Sequence, residues 1–400
     1  MASVDGDPGA NVIRYMDGCD HVETAAELRA RLGEGRPLRV KLGLDPTSPD
    51  LHIGHAVVLR KLQQFVEGGH DVTLVIGSFT ARIGDPSGRN ALRPRLSDEQ
   101  IDANMRTYAE QAGKVLDLER VSLRYNGEWL APLSFEHVIR LLAQTTVARM
   151  LDRNDFAARY AEGSPISLHE FLYPVAQAYD SVALSADVEL GGTDQLFNLL
   201  MGRHYQEREG QAPQICMTTP LLEGLDGKIK MSKSVGNHVA IAEAPEDQFG
   251  KLMRVPDEMV ARYARLGAGW TEAASEELTH EVTDGRTSPI DAKKRVAQAI
   301  VALYNGDDAA KAARENFERT VQRRELPDEM TEITLRDARR LTDVLVQAGF
   351  AQSKREAERL IRGGGVRLDG VPADDPAMMW TSTVAVVLSV GARRFARVLP

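Results

Sequence analysis

The chain has 400 residues, 43% hydrophobic and 27% charged, the composition of a soluble globular protein with material for two or three domains. It has no run of eighteen apolar residues, no basic-then-apolar leader, and only Cys19 and Cys216, which argues against a membrane span, a signal peptide or a disulfide framework and fits a reducing cytoplasm. The net charge of −9 argues against wholesale nucleic-acid binding, yet residues 336–400 hold 11 basic against 7 acidic residues (+4) and the remainder 38 against 51 (−13), the asymmetry expected when one domain meets a polyanion.

Residues 1–37 read as a helical lead-in, with Ala25, Ala26, Leu28 and Leu32 on a loose stripe. Leu38, Val40, Leu42 and Leu44 then alternate with Arg39, Lys41, Gly43 and Asp45, the two-residue period of a strand with unlike faces. Asp45-Pro46 breaks the strand, and Pro49-Asp50 offers a helix N-cap. Ile53, Val57, Leu62 and Phe65 keep helical spacing up to Gly68-Gly69, and Asp71–Gly77 is a second strand that completes a β-α-β unit. His52-Ile53-Gly54-His55 sets two imidazoles one turn apart at the helix N-terminus, an anion site by its amides and dipole. Gly54 lets a flat or charged ligand lie against the backbone. Half a metal site and two incidental surface histidines are the competing readings; neither cysteine and no histidine cluster lies near in sequence.

Asp85-Pro86-Ser87-Gly88 is a type I turn sequence, placed just beyond a parallel-strand candidate, where ligands bind. Ser97–Gln100 is a capping box opening a helix to about Leu116, and Val121–Tyr125 is a short strand ending at Asn126-Gly127. Residues 133–182 read as helical, with Val138, Leu141 and Leu142 on one face. Within them Tyr173, Gln177 and Asp180 fall at i, i+4 and i+7, so one face carries a phenol, an amide and a carboxylate in a largely apolar segment, as a ligand pocket requires; a solvated stripe is the alternative. Val188–Gln195 is a strand end whose glycines permit close approach of a ligand, and a helix runs from Asn198 to about Glu207.

Lys230-Met231-Ser232-Lys233-Ser234 lies in a glycine-flanked loop, and its two lysines suit a clamp on a polyphosphate whose charge grows in a transition state. From Pro245 to about Arg324 the pattern is all-helical, with the Ser288-Pro289 start, the Val296, Ala299, Ile300, Leu303 stripe and the Asn305-Gly306 stop. Glu325–Glu332 reads as an acidic linker. The last module begins near Arg336. A short helix through Leu341, Val344, Leu345 and Ala348 closes at Gly349, and Ser353–Glu356 caps a second one. That helix buries Ala357, Leu360 and Ile361 and shows Arg355, Arg359 and Arg362 at i, i+4 and i+7, next to Lys354. Asp369-Gly370 turns a hairpin between Val366–Leu368 and Val371. The arginine stripe is spaced for phosphates, and two short helices with a hairpin resemble the small RNA-binding module shared by a ribosomal small-subunit protein and several pseudouridine synthases.

The His-Ile-Gly-His and Lys-Met-Ser-Lys-Ser pair resembles the two signatures of class I aminoacyl-tRNA synthetases, and the order of parts is similar to the bacterial tyrosyl-tRNA synthetase family over nearly the whole chain. The resemblance implies an α/β fold: a Rossmann-like parallel-sheet catalytic domain over 1–225 with a dimer-forming insertion about 120–185. A helical anticodon-side domain with the lysine loop would occupy 226–325, and a small α+β RNA-binding module 336–400. It implies activation of L-tyrosine by ATP, with Mg2+, to tyrosyl-adenylate and pyrophosphate, then transfer to the terminal ribose of tRNA(Tyr), by a cytoplasmic homodimer with no membrane contact. By the same resemblance Tyr173, Gln177 and Asp85 hold the substrate ammonium and Asp180 accepts from the phenol. Thr47, His52 and His55 meet the phosphates while Gly54 underlies the adenine. Asp194 and Gln195 bind ribose and substrate, and Lys230 and Lys233 clamp the pyrophosphate. Asn126 and Asp45 line the same cavity; Gly43, Gly192, Met231, Ser232 and Ser234 belong to the ATP side, and Lys354, Arg355, Arg359 and Arg362 to the RNA. No residue-bound metal is implied. Lys41 stands where the better-known branch of the family has a tyrosine and another branch has lysine; by alternation it faces the site, and contact with the phenol, pairing with Asp180 and mere proximity all stay open. A tryptophanyl-tRNA synthetase would share both signatures, and a non-catalytic RNA-binding paralogue is the rival of another class.

Overall fold

The computed structural model describes residues 8–86, 97–322, 330–335, 339–381, 384–391 and 394–400. The chain divides into two compact units, Met1–Gly306 and Asp307–Pro400. Ser87 and Gly88 of the expected turn, most of the expected linker and Arg336 lie outside the described residues.

The first unit is built on a six-stranded sheet. Its strands are β1 (His21–Glu23), β2 (Arg39–Leu44), β3 (Asp71–Ile76), β4 (Val121–Tyr125), β5 (Val188–Gly192) and β6 (Ile215–Thr219), in the order β1-β6-β5-β2-β3-β4. Only the β1 edge is antiparallel. Parallel strands are covered on both faces and need apolar runs; Val40, Leu42, Leu74, Val75, Ile76, Val188 and Leu190 supply them and are buried. The Ile53–Glu67 helix crosses from β2 to β3 and ends at Gly68-Gly69, where Gly69 takes φ +76°, a conformation that costs glycine little. The expected strands 38–44, 71–77 and 121–125 therefore form, and carboxyl ends of β2, β3 and β5 open on one edge, where open α/β sheets bind ligands.

Two local expectations are corrected. Residues 133–182 are not one helical span but Phe135–Leu142, Val147–Met150, Asn154–Ala161 and Leu172–Leu184. Ser134 and Thr146 start the first two by accepting from the His137 and Arg149 amides, and a buried Arg159–Glu170 ion pair at 2.5 Å closes the loop before the last. The helix opened by Ser97 ends at Ala112 and not near Leu116. From Pro245 the unit is helical, through Pro245–Leu252, Glu272–Thr283 and Pro289–Asn305, with Ser288 capping the last.

The second unit starts with the Asp307–Phe317 helix. Its strands are β7 (Thr331–Thr334), β8 (Arg339–Arg340), β9 (Val366–Leu368), β10 (Val371–Pro372), β11 (Met379–Trp380), β12 (Val386–Val390) and β13 (Arg394–Leu399). They form a five-stranded sheet, β10-β9-β12-β13-β7, and a β11-β8 pair. Glu332, expected in a linker, instead lies in β7 opposite Arg397. The helices Leu341–Gln347 and Lys354–Arg362 bury Leu341, Val344, Leu345, Ala357 and Ile361 against Leu388, Ala396 and Val398.

Candidate active site

The carboxyl ends of β2, β3 and β4 and the Leu172–Leu184 helix bring Asp45, Asn126, Tyr173 and Asp180 into one hydrogen-bonded group. Tyr173 Oη donates to Asp45 Oδ2 at 2.9 Å, and Thr80 Oγ1 donates to Asp45 Oδ1 at 2.7 Å. Asn126 Nδ2 reaches both Thr80 Oγ1 (3.0 Å) and Asp180 Oδ2 (3.3 Å), while Trp129 Nε1 donates to Asp180 Oδ1 at 2.7 Å. Burial pushes the Asp45 carboxyl up to about 7, with Asp85 and Asp180 adding to it. Burial also lifts Asp180, to about 6, against the pull of the Lys41 charge. Gly77 makes room for this group, because a Cβ there would collide with Asp45 and Thr80.

Asp85 belongs to a second ring. Gln195 Nε2 donates to its Oδ2 at 2.7 Å and Arg153 Nη2 to its Oδ1 at 3.2 Å. Arg153 also donates to Asn198, and Asn198 to Gln195. Lys41 neither pairs with Asp180 nor stands alone: its Nζ is 2.8 Å from Glu189 Oε1, both side chains being buried. Gln177 Nε2 donates to the same oxygen at 3.0 Å.

At the other end, the helix N-terminus is held by a histidine and not by the expected Asp50. His52 is the N-cap residue of Ile53–Glu67, and its amide donates to His55 Nδ1 at 3.2 Å. The two rings stack at 3.8 Å. Burial lowers both pKa values, His55 to about 4 and His52 well below its usual range, and the Lys230 charge lowers them further. Both imidazoles are therefore neutral at pH 7, and since His55 Nδ1 accepts, its Nε2 carries the proton and is the donor.

The lysine loop meets this end through backbone pairing. Ile53 N donates to Val239 O and Ile241 N to Leu51 O, so the strand-like segment after the loop is laced to the helix start. Buried Met231 lies over Gly54, 3.7 Å from where a Cβ on that glycine would stand, and the same Cβ would be 3.0 Å from His52 Nδ1. Asn237 pins the loop, accepting from Ser232 N at 2.8 Å and donating to Asp226. Lys230 pairs with Asp194, and Lys233 Nζ pairs with Asp50 Oδ2 at 2.6 Å. Ser232 and Ser234 hydroxyls lie 2.8 Å apart. Thr47 sits in the turn after β2, its amide donating to Asp45 O, and Gly43 leaves open space above the strand. A Cβ on Gly192 would crowd Leu221 and Asp194.

Sequence reasoning missed Glu189, Trp129, Thr80, Arg153 and Asn198, which meet Lys41, Asp180, Asp45, Asp85 and Arg153 across 35 to 148 residues of sequence. It also missed Asn104 and Gln111, which hold the loop between β2 and His52 by donating to Pro46 O and Pro49 O, both at 2.8 Å. The Asn126-Gly127 turn signal was the nearest pointer to Trp129. In the second unit Arg355, Arg359 and Arg362 are exposed as expected, while Lys354 is paired with Asp343 at 2.6 Å.

A family model described as tRNA synthetases class I (W and Y) matches residues 33–322, and one for the S4 domain matches residues 339–381. The chain is 51% identical over 372 residues to a tyrosine–tRNA ligase of Thermotoga maritima, covering 93% of each chain. It is 51% identical over 373 residues to one of Moorella thermoacetica, covering 93% of this chain and 90% of that one. Among solved structures, the tyrosyl-tRNA synthetase of Aeropyrum pernix superimposes with a TM-score of 0.63 at 26% identity, over 78% of this chain and 99% of that one.

Proposed function

This chain belongs to the class I tRNA synthetases of the tryptophan and tyrosine group, among the tyrosine–tRNA ligases, and we propose that it joins L-tyrosine to ATP and passes the tyrosyl group to the 3′-terminal ribose of tRNA(Tyr). In the first step a carboxylate oxygen of tyrosine bonds to the α-phosphorus of ATP as the bond to pyrophosphate breaks. An α-carboxyl is already ionised at neutral pH, so the site needs no general base. Its work is positioning and charge stabilisation. Tyr173, Gln177, Asp85 and Gln195 receive the amino-acid end, and Asp180, held by Trp129 and Asn126, accepts from the phenol. His55 Nε2–H and the helix N-terminus meet the phosphates, with His52, Thr47 and Gly54 around them. Lys230 and Lys233 exchange Asp194 and Asp50 for the departing pyrophosphate.

The observation that carries this reading is the lacing of residues 239–241 to Leu51–Ile53, with Met231 over Gly54. It brings the two signature segments together beside the buried polar group around Asp45, Tyr173 and Asp180. Magnesium would enter on ATP. A magnesium ion of this kind is held by phosphates and water. The S4 module supplies the RNA contact through Arg355, Arg359 and Arg362. A homodimer fits the unpartnered apolar face of Phe135–Leu142, where Phe135 is 80% and Ile139 51% exposed. No helix among the described residues is long and apolar enough to cross a membrane, and a cytoplasmic location agrees with two free cysteines.

ATP–pyrophosphate exchange with each of the twenty amino acids supplied separately tests the proposal. Exchange with tyrosine alone is expected. Exchange with tryptophan would keep the fold and overturn the pocket, and no exchange with any of them would overturn the activity.

A further inference from the structure

Glu189 lies beneath the pocket and has no role in the reaction as described. It is fully buried in β5, directly opposite Lys41 of β2 in the parallel register. Its Oε1 accepts from Lys41 Nζ at 2.8 Å and from Gln177 Nε2 at 3.0 Å. Its Oε2 accepts from Ser181 Oγ at 3.1 Å and from Gln214 Nε2. Four donors thus converge on one carboxylate, and an ionised carboxylate can only accept. The carboxamide that meets it must present its NH2, which fixes the orientation of Gln177: nitrogen towards Glu189, oxygen away. An amide oxygen matches an ammonium group and rejects a carboxylate. Lys41 has a part in this, because its ammonium, 2.8 Å away, supplies the counter-charge that a buried carboxylate needs.

We propose that Glu189 is a positioning residue which, paired with Lys41, turns the Gln177 carboxamide so that its oxygen receives the ammonium group of the substrate. This rests on the reading of Gln177 as an ammonium contact given under the proposed function.

Two double variants isolate the effect. Lys41→Met/Glu189→Gln and Lys41→Met/Glu189→Leu both remove the ion pair as a pair, so neither leaves a lone buried charge. Only the glutamine version keeps an oxygen for Gln177 Nε2. The probes are tyramine, which keeps the ammonium, and 3-(4-hydroxyphenyl)propanoate, which lacks it, each as a competitor of tyrosine in pyrophosphate exchange. Tyramine is expected to bind roughly 10-fold more weakly to the leucine double than to the glutamine double. The propanoate and the KM for ATP should match between the two within about twofold, a pattern that a general loss of structure would not give. Equal tyramine binding in the two doubles, with Gln177→Ala weakening tyramine, would overturn the role of Glu189 alone. Gln177→Ala that leaves tyramine binding unchanged would overturn the ammonium contact and the proposal with it. The unaltered enzyme gives an independent check: tyramine should bind more tightly than the propanoate, and the reverse order would mean that Gln177 presents its nitrogen.

Discussion

Trp129 donates its indole N–H to Asp180 Oδ1 at 2.7 Å, and this bond aims the carboxylate that we propose accepts from the substrate phenol. Asn126 holds the other oxygen at 3.3 Å. A site built to receive a hydroxyl leaves a buried acceptor unpaired when the hydroxyl is missing, and that penalty is the basis of discrimination. Trp129→Phe should lower the tyrosine-over-phenylalanine ratio in pyrophosphate exchange roughly 10-fold, about the worth of one hydrogen bond to a charged group. Asp180→Ala should abolish the preference. An unchanged ratio in Asp180→Ala would remove Asp180 from the phenol.

The Asp45 carboxyl gives a pH signature in the ligand-free protein. Burial raises its folded pKa to about 7, above an unfolded value near 4, so the fold holds this proton more tightly than the unfolded chain does. Its contribution is most favourable below about pH 4, is lost as pH rises through the window from about 4 to 7, and is flat above that. Asp45→Asn has no such proton. The stability of the unaltered protein relative to Asp45→Asn should therefore fall between pH 4 and 7, as read from denaturant unfolding at each pH. A difference that stays constant, or grows with pH, would show that Asp45 is ionised throughout.

How far this site was legible depended on how local its parts are. Strand β2, the helix from Ile53 and the Tyr173, Gln177, Asp180 face follow from periods of two and 3.6 within a dozen residues, and they stand where the periods put them. The Lys41–Glu189 pair could not be read in this way, because its members are 148 residues apart and meet only through the sheet order. The same holds for Lys233 and Asp50, 183 residues apart. That pairing shows why the cap expectation failed: Asp50 faces the lysine loop, and the backbone of His52, bonded to His55, starts the helix. Residues 133–182 misled for another reason. Their apolar spacing is helical, but the Thr146 side chain accepts from the Arg149 amide and starts a new helix within the span.

We propose that His55 works as a neutral donor. Its Nδ1 is committed to the His52 amide and its pKa is lowered to about 4, first by burial and then by Lys230. His55→Ala should lower kcat for adenylate formation on the order of 100-fold, the usual loss for one preorganised donor, with the tyrosine KM within about twofold. The kcat profile of the unaltered enzyme should show no limb near pH 6.5 that disappears in His55→Ala. Such a limb would mean that the imidazole titrates at its ordinary value and acts as a charged group.

The proposed contact of Lys233 with pyrophosphate requires it to leave Asp50. Both side chains are more than a third exposed, so the 2.6 Å pair contributes at most about 1 kcal/mol to stability. Asp50→Asn should leave the unfolding midpoint nearly unchanged and raise kcat by about two- to fivefold, the equivalent of that pair, with little change in the KM for ATP. Lys233→Ala should instead lower kcat with little change in either KM, since its charge counts as pyrophosphate departs. A raised KM for ATP in Asp50→Asn would show that Asp50 helps bind the nucleotide.

The S4 module allows the two half-reactions to be separated. Arg355, Arg359 and Arg362 are exposed on the Lys354–Arg362 helix, and none pairs with a carboxylate among the described residues, whereas Lys354 is tied to Asp343. Guanidinium groups in this state bind phosphates by releasing counterions, so each one lost should reduce the salt dependence of tRNA affinity by about one unit of slope. Arg359→Ala and Arg362→Ala should therefore weaken tRNA binding and aminoacylation, most visibly at low salt, while ATP–pyrophosphate exchange, which needs no tRNA, stays at its original rate. Lys354→Ala should do less, because its ammonium is already satisfied by Asp343. If Lys354→Ala weakens tRNA as much as Arg359→Ala, the pair with Asp343 opens on binding and the recognising face is wider than the arginine stripe. If none of the three changes the salt slope, the stripe is a solvated face and the RNA is held elsewhere on the module.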